Sequence, residues 1–171
     1  MAGLIDANQI LPGLWLGSLA SVRHQDLFMK AGITHVITCL SYSEVAERHV
    51  EVPEGIQWTV VPVEDTLEDT IFPHIETVIN IIGNALRINE QTRTTGNRIL
   101  IHCMGGISRS PALASAYIMW RLRLRWAAAV AYVRERRPCV NPNGSFLKDL
   151  ETFDRALYRD ETIPTVPNKN R

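Results

Sequence analysis

Apolar positions along this chain change their period several times, and those changes sort it into alternating strands and helices. His35 to Leu40 and Ile56 to Val63 are short runs rich in β-branched residues, as buried or half-buried strands require. Leu14 to Gly17 reads as a short edge strand. Arg98 to His102 reads as a buried one, because Ile99, Leu100 and Ile101 follow one another without a polar break. Elsewhere the period lengthens: Ile75, Val78, Ile79, Ile82 and Leu86 recur at helical spacing and predict a helix from about Pro73 to Arg87. Further helices are expected over Gln25–Lys30, Ser110–Leu122, Arg125–Arg136 and Gly144–Tyr158. Asn89 to Asn97 is polar, shows no period and reads as a surface connection. The alternation predicts an α/β fold, with residues 1–159 forming one domain and residues 160–171 a frayed tail.

Composition narrows the picture. A chain of 171 residues with 46% hydrophobic content can bury one core and is short for two. Eighteen basic and eighteen acidic residues cancel, so no overall field favours nucleic acid or an acidic membrane. Three cysteines at irregular spacing do not make a disulfide framework, and Cys39 reads as a small buried apolar residue. No stretch approaches the roughly twenty apolar residues of a membrane helix, and Met1 to Asp6 has no basic region leading into an apolar run. These features point to a soluble protein of a reducing compartment, cytoplasmic or nuclear.

Chemistry concentrates in Ile101-His102-Cys103-Met104-Gly105-Gly106-Ile107-Ser108-Arg109-Ser110-Pro111. A strand delivers Cys103 to its C-terminal end, and Pro111 marks the first turn of the following helix. Between them, consecutive backbone N–H groups from Met104 to Ser108 can converge on one point at the positive end of the helix dipole, which suits a dianion. Gly105 and Gly106 allow the close approach, and the fork of Arg109 can hold two phosphate oxygens. The same dipoles stabilise a thiolate at Cys103. His102 precedes it on a strand and points to the opposite face, which suits support and not base catalysis. The run lacks the Gly-Lys-Ser/Thr ending of a nucleotide P-loop.

The signature His102-Cys103-x5-Arg109 resembles that of the cysteine-dependent protein tyrosine phosphatases, and the fuller run through Ser110 resembles their small dual-specificity branch. Other segments follow in that family's order: Ile10 to Ser18, Gly32 to Val36, Val63-Glu64-Asp65, and Asn141-Pro142-Asn143 followed by Phe146 and Leu150. The resemblance implies a central mixed, mostly parallel sheet of about five strands flanked by helices. It implies Cys103 as nucleophile, Asp65 as the acid that protonates the leaving oxygen, and a Ser110 hydroxyl that assists the departing thiolate. Glu64, Glu68 and Asp69 compete with Asp65 for the acid's place. Met104 to Arg109 would line the phosphate, with Asn141 and Asn143 fixing the neighbouring loop. No cofactor or metal is implied, and His24, His35, His49, His74 and His102 lie too scattered for a ligand pattern. The expected partner is a phosphoprotein, not a nucleic acid, met by a monomer without a membrane anchor, since Ala2 stands where some small relatives carry a myristoylated glycine. Arg137, closing the Arg125–Arg136 helix, is a candidate for a second phosphate on the substrate. A weakly catalytic phosphoprotein-binding module and a phosphatase for RNA 5′ ends are the competing readings.

Overall fold

The computed structural model describes residues 6–24, 28, 30–87 and 96–159. Five strands form one sheet: β1 (Ala7–Leu11), β2 (Leu14–Gly17), β3 (His35–Cys39), β4 (Gln57–Val61) and β5 (Ile99–His102). Their spatial order is β1-β2-β5-β3-β4, with β1 antiparallel to β2 and every other pairing parallel. The α/β sheet expected from the sequence is therefore present. Leu14–Gly17 is not its edge, however. A tight turn at Gly13, with φ of 84°, folds β1 back along β2, so β1 and β4 are the edges. β5 lies in the middle, and Ile99, Leu100, Ile101 and His102 are wholly buried, as a parallel strand covered on both faces must be.

Six helices surround the sheet among the described residues: α1 (Leu19–Arg23), α2 (Tyr42–Glu47), α3 (Ile75–Ala85), α4 (Arg109–Leu122), α5 (Trp126–Arg136) and α6 (Gly144–Leu157). A single 3-10 turn, Phe72–His74, leads into α3. α4 is the hub. Its residues Ala112 to Ala114 and Ala116 to Met119 are buried almost without remainder, and it packs on β2, β3, β5, α3, α5 and α6. Small side chains on all sides let the neighbours close in. The expected boundaries of α3 to α6 shift by one or two residues, while α1, α2 and β1 were absent from the sequence reading. The Gln25–Lys30 helix lies largely, the Asn89–Asn97 connection mostly and the 160–171 tail entirely outside the described residues.

Candidate active site

β5 ends at His102, so Cys103 emerges at the C-terminal edge of the parallel sheet, where α4 begins six residues later. Cys103 is 2% exposed. The loop between them is held from outside by its carbonyls. Met104 O accepts from Leu19 N at 3.1 Å and Ile107 O from Asn141 N at 2.7 Å. Gly105 O and Gly106 O accept from Arg137, at 3.0 Å from Nη2 and 2.9 Å from Nε. Ser108 O accepts from Ala112 N within α4's first turn. A peptide plane points its N–H opposite to its C=O, so carbonyls tied outward turn the N–H groups inward. Among the described residues, the N–H groups of Met104 to Ser108 have no acceptor in the chain.

Glycine is required at 106 for two reasons. Its φ is 63°, and a Cβ there would sit 2.6 Å from the Gly17 carbonyl oxygen and 2.8 Å from Arg137 Nη2.

Arg109 is buried beside this cradle. Its Nη1 donates to Glu44 Oε2 at 2.6 Å and to the Val63 carbonyl at 3.2 Å, while its Nε, also buried, has no partner among the described residues. One edge of the guanidinium is thus anchored and another is left for an oxyanion. Burial disfavours the charge on Arg109, but the hydrogen bond it donates to Glu44, with the Cys103, Glu44 and Asp65 charges, outweighs it and raises the guanidinium above its ordinary value. Burial likewise works against an ionised Glu44. The Arg109 hydrogen bond and the Ser41 backbone N–H prevail and hold that carboxyl below the usual range.

Glu44 was not singled out from sequence. A signal existed, because Ser41-x-x-Glu44 is a capping box: Ser41 Oγ accepts from Glu44 N at 3.3 Å and Glu44 Oε2 accepts from Ser41 N at 3.0 Å. The carboxylate that closes the α2 cap also anchors Arg109.

Asp65 lies in the loop between β4 and the 3-10 turn, and its Oδ1 accepts from Ser108 Oγ at 2.7 Å and from Asn143 Nδ2 at 2.8 Å. The carboxylate is therefore tied to the rim of the cradle while staying open to solvent. Its competitors are placed otherwise. Asp69 accepts the Glu64 and Thr70 N–H groups and so braces the loop from within, while Glu64 and Glu68 are exposed without a side-chain bond to the cradle. Asn143 caps α6 through its side-chain oxygen on Phe146 N, and its backbone N–H reaches Ser108 Oγ. Asn141 contacts the loop through its backbone N–H on Ile107 O, and Asn143 through its backbone N–H on Ser108 Oγ. Ser110 Oγ is buried and unpaired among the described residues.

Arg137 contradicts its expected part in substrate binding. It is 3% exposed, and its guanidinium donates to Gly105 O, Gly106 O, Asp6 O, Asp6 Oδ1 and Asn8 Oδ1. No donor remains for a second phosphate. The side chain turns inward at the end of α5 because two loop carbonyls and the β1 hairpin offer it a complete set of acceptors.

His102 bonds Thr38 Oγ1 through Nε2 at 2.7 Å and the Cys103 carbonyl through Nδ1 at 3.2 Å. Complete burial, with the Arg109 charge added, pushes its imidazole down to about 4 against a carbonyl bond that favours the charged ring. The unfolded chain, with an ordinary value of 6.5, takes up this proton first. His102 therefore contributes stability that is complete above pH 6.5 and is lost as the pH falls towards 4, about 3 kcal/mol in all. Urea denaturation at pH 7 and at pH 4.5 should show a loss of that order, and His102→Asn should flatten it.

Cys39, beside β5 on β3, is fully buried; burial and then the Cys103 charge push its thiol well up. No group of three or more His, Cys, Asp or Glu side chains forms a metal site among the described residues, and no helix there is long and apolar enough to cross a membrane.

A run of N–H groups without acceptors, a buried arginine edge, a buried thiol and a carboxylate tied to the same loop invite comparison with known proteins. The family model of the dual specificity phosphatase catalytic domain matches residues 14–156. Human dual specificity protein phosphatase 22 is 30% identical over 148 residues, covering 86% of this chain and 73% of that protein. Human dual specificity protein phosphatase 16 is 31% identical over 153 residues, 90% of this chain, which spans only 21% of that longer protein. Among solved structures, the human tyrosine phosphatase-like serine/threonine/tyrosine-interacting protein matches with a TM-score of 0.79 at 31% identity, over 90% of this chain and 98% of that one. The chain belongs to the dual specificity phosphatase family and carries that family's catalytic domain.

Proposed function

We propose that this chain is a protein phosphatase that hydrolyses phosphotyrosine, phosphoserine and phosphothreonine monoesters through a phosphocysteine. The observation that carries the reading is the cradle itself: loop carbonyls drawn outward on protein donors, N–H groups left without acceptors, and Arg109 Nε unpaired beside Cys103. That arrangement stabilises charge spreading over three phosphoryl oxygens during in-line displacement. In the first step the Cys103 thiolate forms an S–P bond as the P–O bond to the substrate breaks, and Asp65 donates its proton to the leaving oxygen. In the second, Asp65 takes a proton from water, the water oxygen attacks phosphorus and the S–P bond breaks. By the family resemblance, the Ser110 hydroxyl, buried and unpaired among the described residues, would donate to the departing thiolate. Cys103, Arg109 and Asp65 together favour turnover over passive binding.

The loops bounding the site favour a monophosphorylated protein over RNA or a polyphosphorylated lipid. Glu64 to Asp69 and Met104 to Ser108 together carry four carboxylates and no lysine or arginine, and such a rim repels polyanions.

Asp65→Asn tests the acid. It should slow hydrolysis of phosphoserine peptides, whose alkoxide leaves poorly without a proton, by about 10² to 10⁴-fold. A nitrophenyl phosphate, with a leaving group that needs little protonation, should lose much less. Equal losses on both substrates would remove Asp65 from this role.

A further inference from the structure

The hydrogen bonds behind Cys103 do not stop at His102. Trp58, on the edge strand β4 and 39% exposed, donates from Nε1 to Thr38 Oγ1 at 2.9 Å. Thr38 is wholly buried on β3, and its oxygen lies 2.7 Å from His102 Nε2; His102 Nδ1 lies 3.2 Å from the Cys103 carbonyl. Directions along this chain follow from chemistry. An indole N–H can only donate, so the threonine oxygen is already an acceptor. Its own proton has one acceptor within reach among the described residues, His102 Nε2. A neutral imidazole carries a single N–H, so that proton resides on Nδ1 and is donated to Cys103 O.

We propose that Trp58 is a positioning residue for the nucleophile, acting from the surface through Thr38 and His102 on the Cys103–Met104 peptide. Holding Cys103 O towards His102 turns the Met104 N–H, in the same peptide plane, towards the pocket. This N–H is the cradle's first, and it stands next to Sγ in sequence. Without the indole donor, the threonine hydroxyl is free to rotate and accept from Nε2–H. The imidazole proton then leaves Nδ1, two lone pairs face each other across 3.2 Å, and the peptide loses its tether.

The test reads the thiol directly, without turnover, so its outcome is independent of the phosphatase reading. Alkylation of Cys103 by iodoacetamide is followed by mass spectrometry of the Cys103 peptide, resolved from that of Cys39, on a Cys139→Ser background. Trp58→Phe deletes the N–H and keeps an aromatic ring. It is expected to slow alkylation at pH 6 by about three- to tenfold, the range of one hydrogen bond, and to leave the rate at pH 9 unchanged. Thr38→Val should match it, Thr38→Ser should restore the wild-type rate, and the Trp58→Phe, Thr38→Val pair should lose no more than either alone. A wild-type rate at pH 6 in Trp58→Phe overturns the proposal. So does equal slowing at both pH values, which would mean that the ring acts only by packing.

Discussion

Replacing Cys103 by serine is expected to abolish hydrolysis of an aryl phosphate in EDTA, a loss on the order of 10⁴-fold or more. A hydroxyl in the same place meets the same cradle but is far harder to ionise than a thiol, so the nucleophile is lost. Binding should survive. The loop N–H groups and the Arg109 edge owe their placement to Leu19, Arg137, Asn141 and Glu44, none of which depends on the sulfur. The serine variant should therefore retain a phosphopeptide in equilibrium binding at close to wild-type affinity while turning over none of it. Chelator alone should leave the wild-type rate unchanged, because the proposed steps assign nucleophile, acid and charge stabilisation to side chains and backbone. Turnover that vanishes in EDTA, or persists in the serine variant, would refute the two-step mechanism.

Arg137→Ala has the second large effect, and its form separates two roles for this residue. A substrate-binding arginine would raise KM for doubly phosphorylated peptides and spare small aryl phosphates. The buried arginine seen here should instead lower kcat/KM for both alike and destabilise the fold. Truncation strands two loop carbonyls, each a loss of about 1–3 kcal/mol, while the half-exposed Asp6 carboxylate returns to water. For a domain of this size the melting temperature should fall by roughly 10 °C or more. Arg137→Lys should recover only part of that loss, because an ammonium cannot span five acceptors set in a plane around a guanidinium. Calorimetry alongside kinetics on the two substrates decides the matter.

These residues also show what was readable from sequence. The Cys103 loop was legible because its chemistry is contiguous: thiol, glycines, arginine and helix start all fall within eleven residues. Asp65 was singled out by the family resemblance of Val63-Glu64-Asp65, since its place beyond a strand alone did not separate it from Glu64, Glu68 and Asp69. Arg137 misled for a definite reason. An arginine at a helix C-terminus looks the same in sequence whether it reaches solvent or turns inward, and only the acceptors on β1 and the loop decide. Glu44 reaches Arg109 from α2, and Thr38 bonds Trp58 and His102 across the β3 pairings with β4 and β5, contacts that no local period reveals. α1, α2 and β1 span only five or six residues each, too few for a helical or alternating pattern to repeat. The misplaced edge strand has the same origin, since seeing β1 was a condition for placing β2 inside the sheet.

The outward-tied carbonyls carry a lesson for protein engineering. Their donors come from α1, the end of α5 and the segment before α6, well apart in the chain, so the eleven-residue run is not a portable module. A synthetic peptide of that sequence, or a transplant onto another strand and helix, would leave those oxygens free to swing into the pocket and repel the anion. A successful graft must bring along an arginine in Arg137's place and two backbone donors. The minimal transferable unit is that bracing scaffold with its loop, not the signature alone.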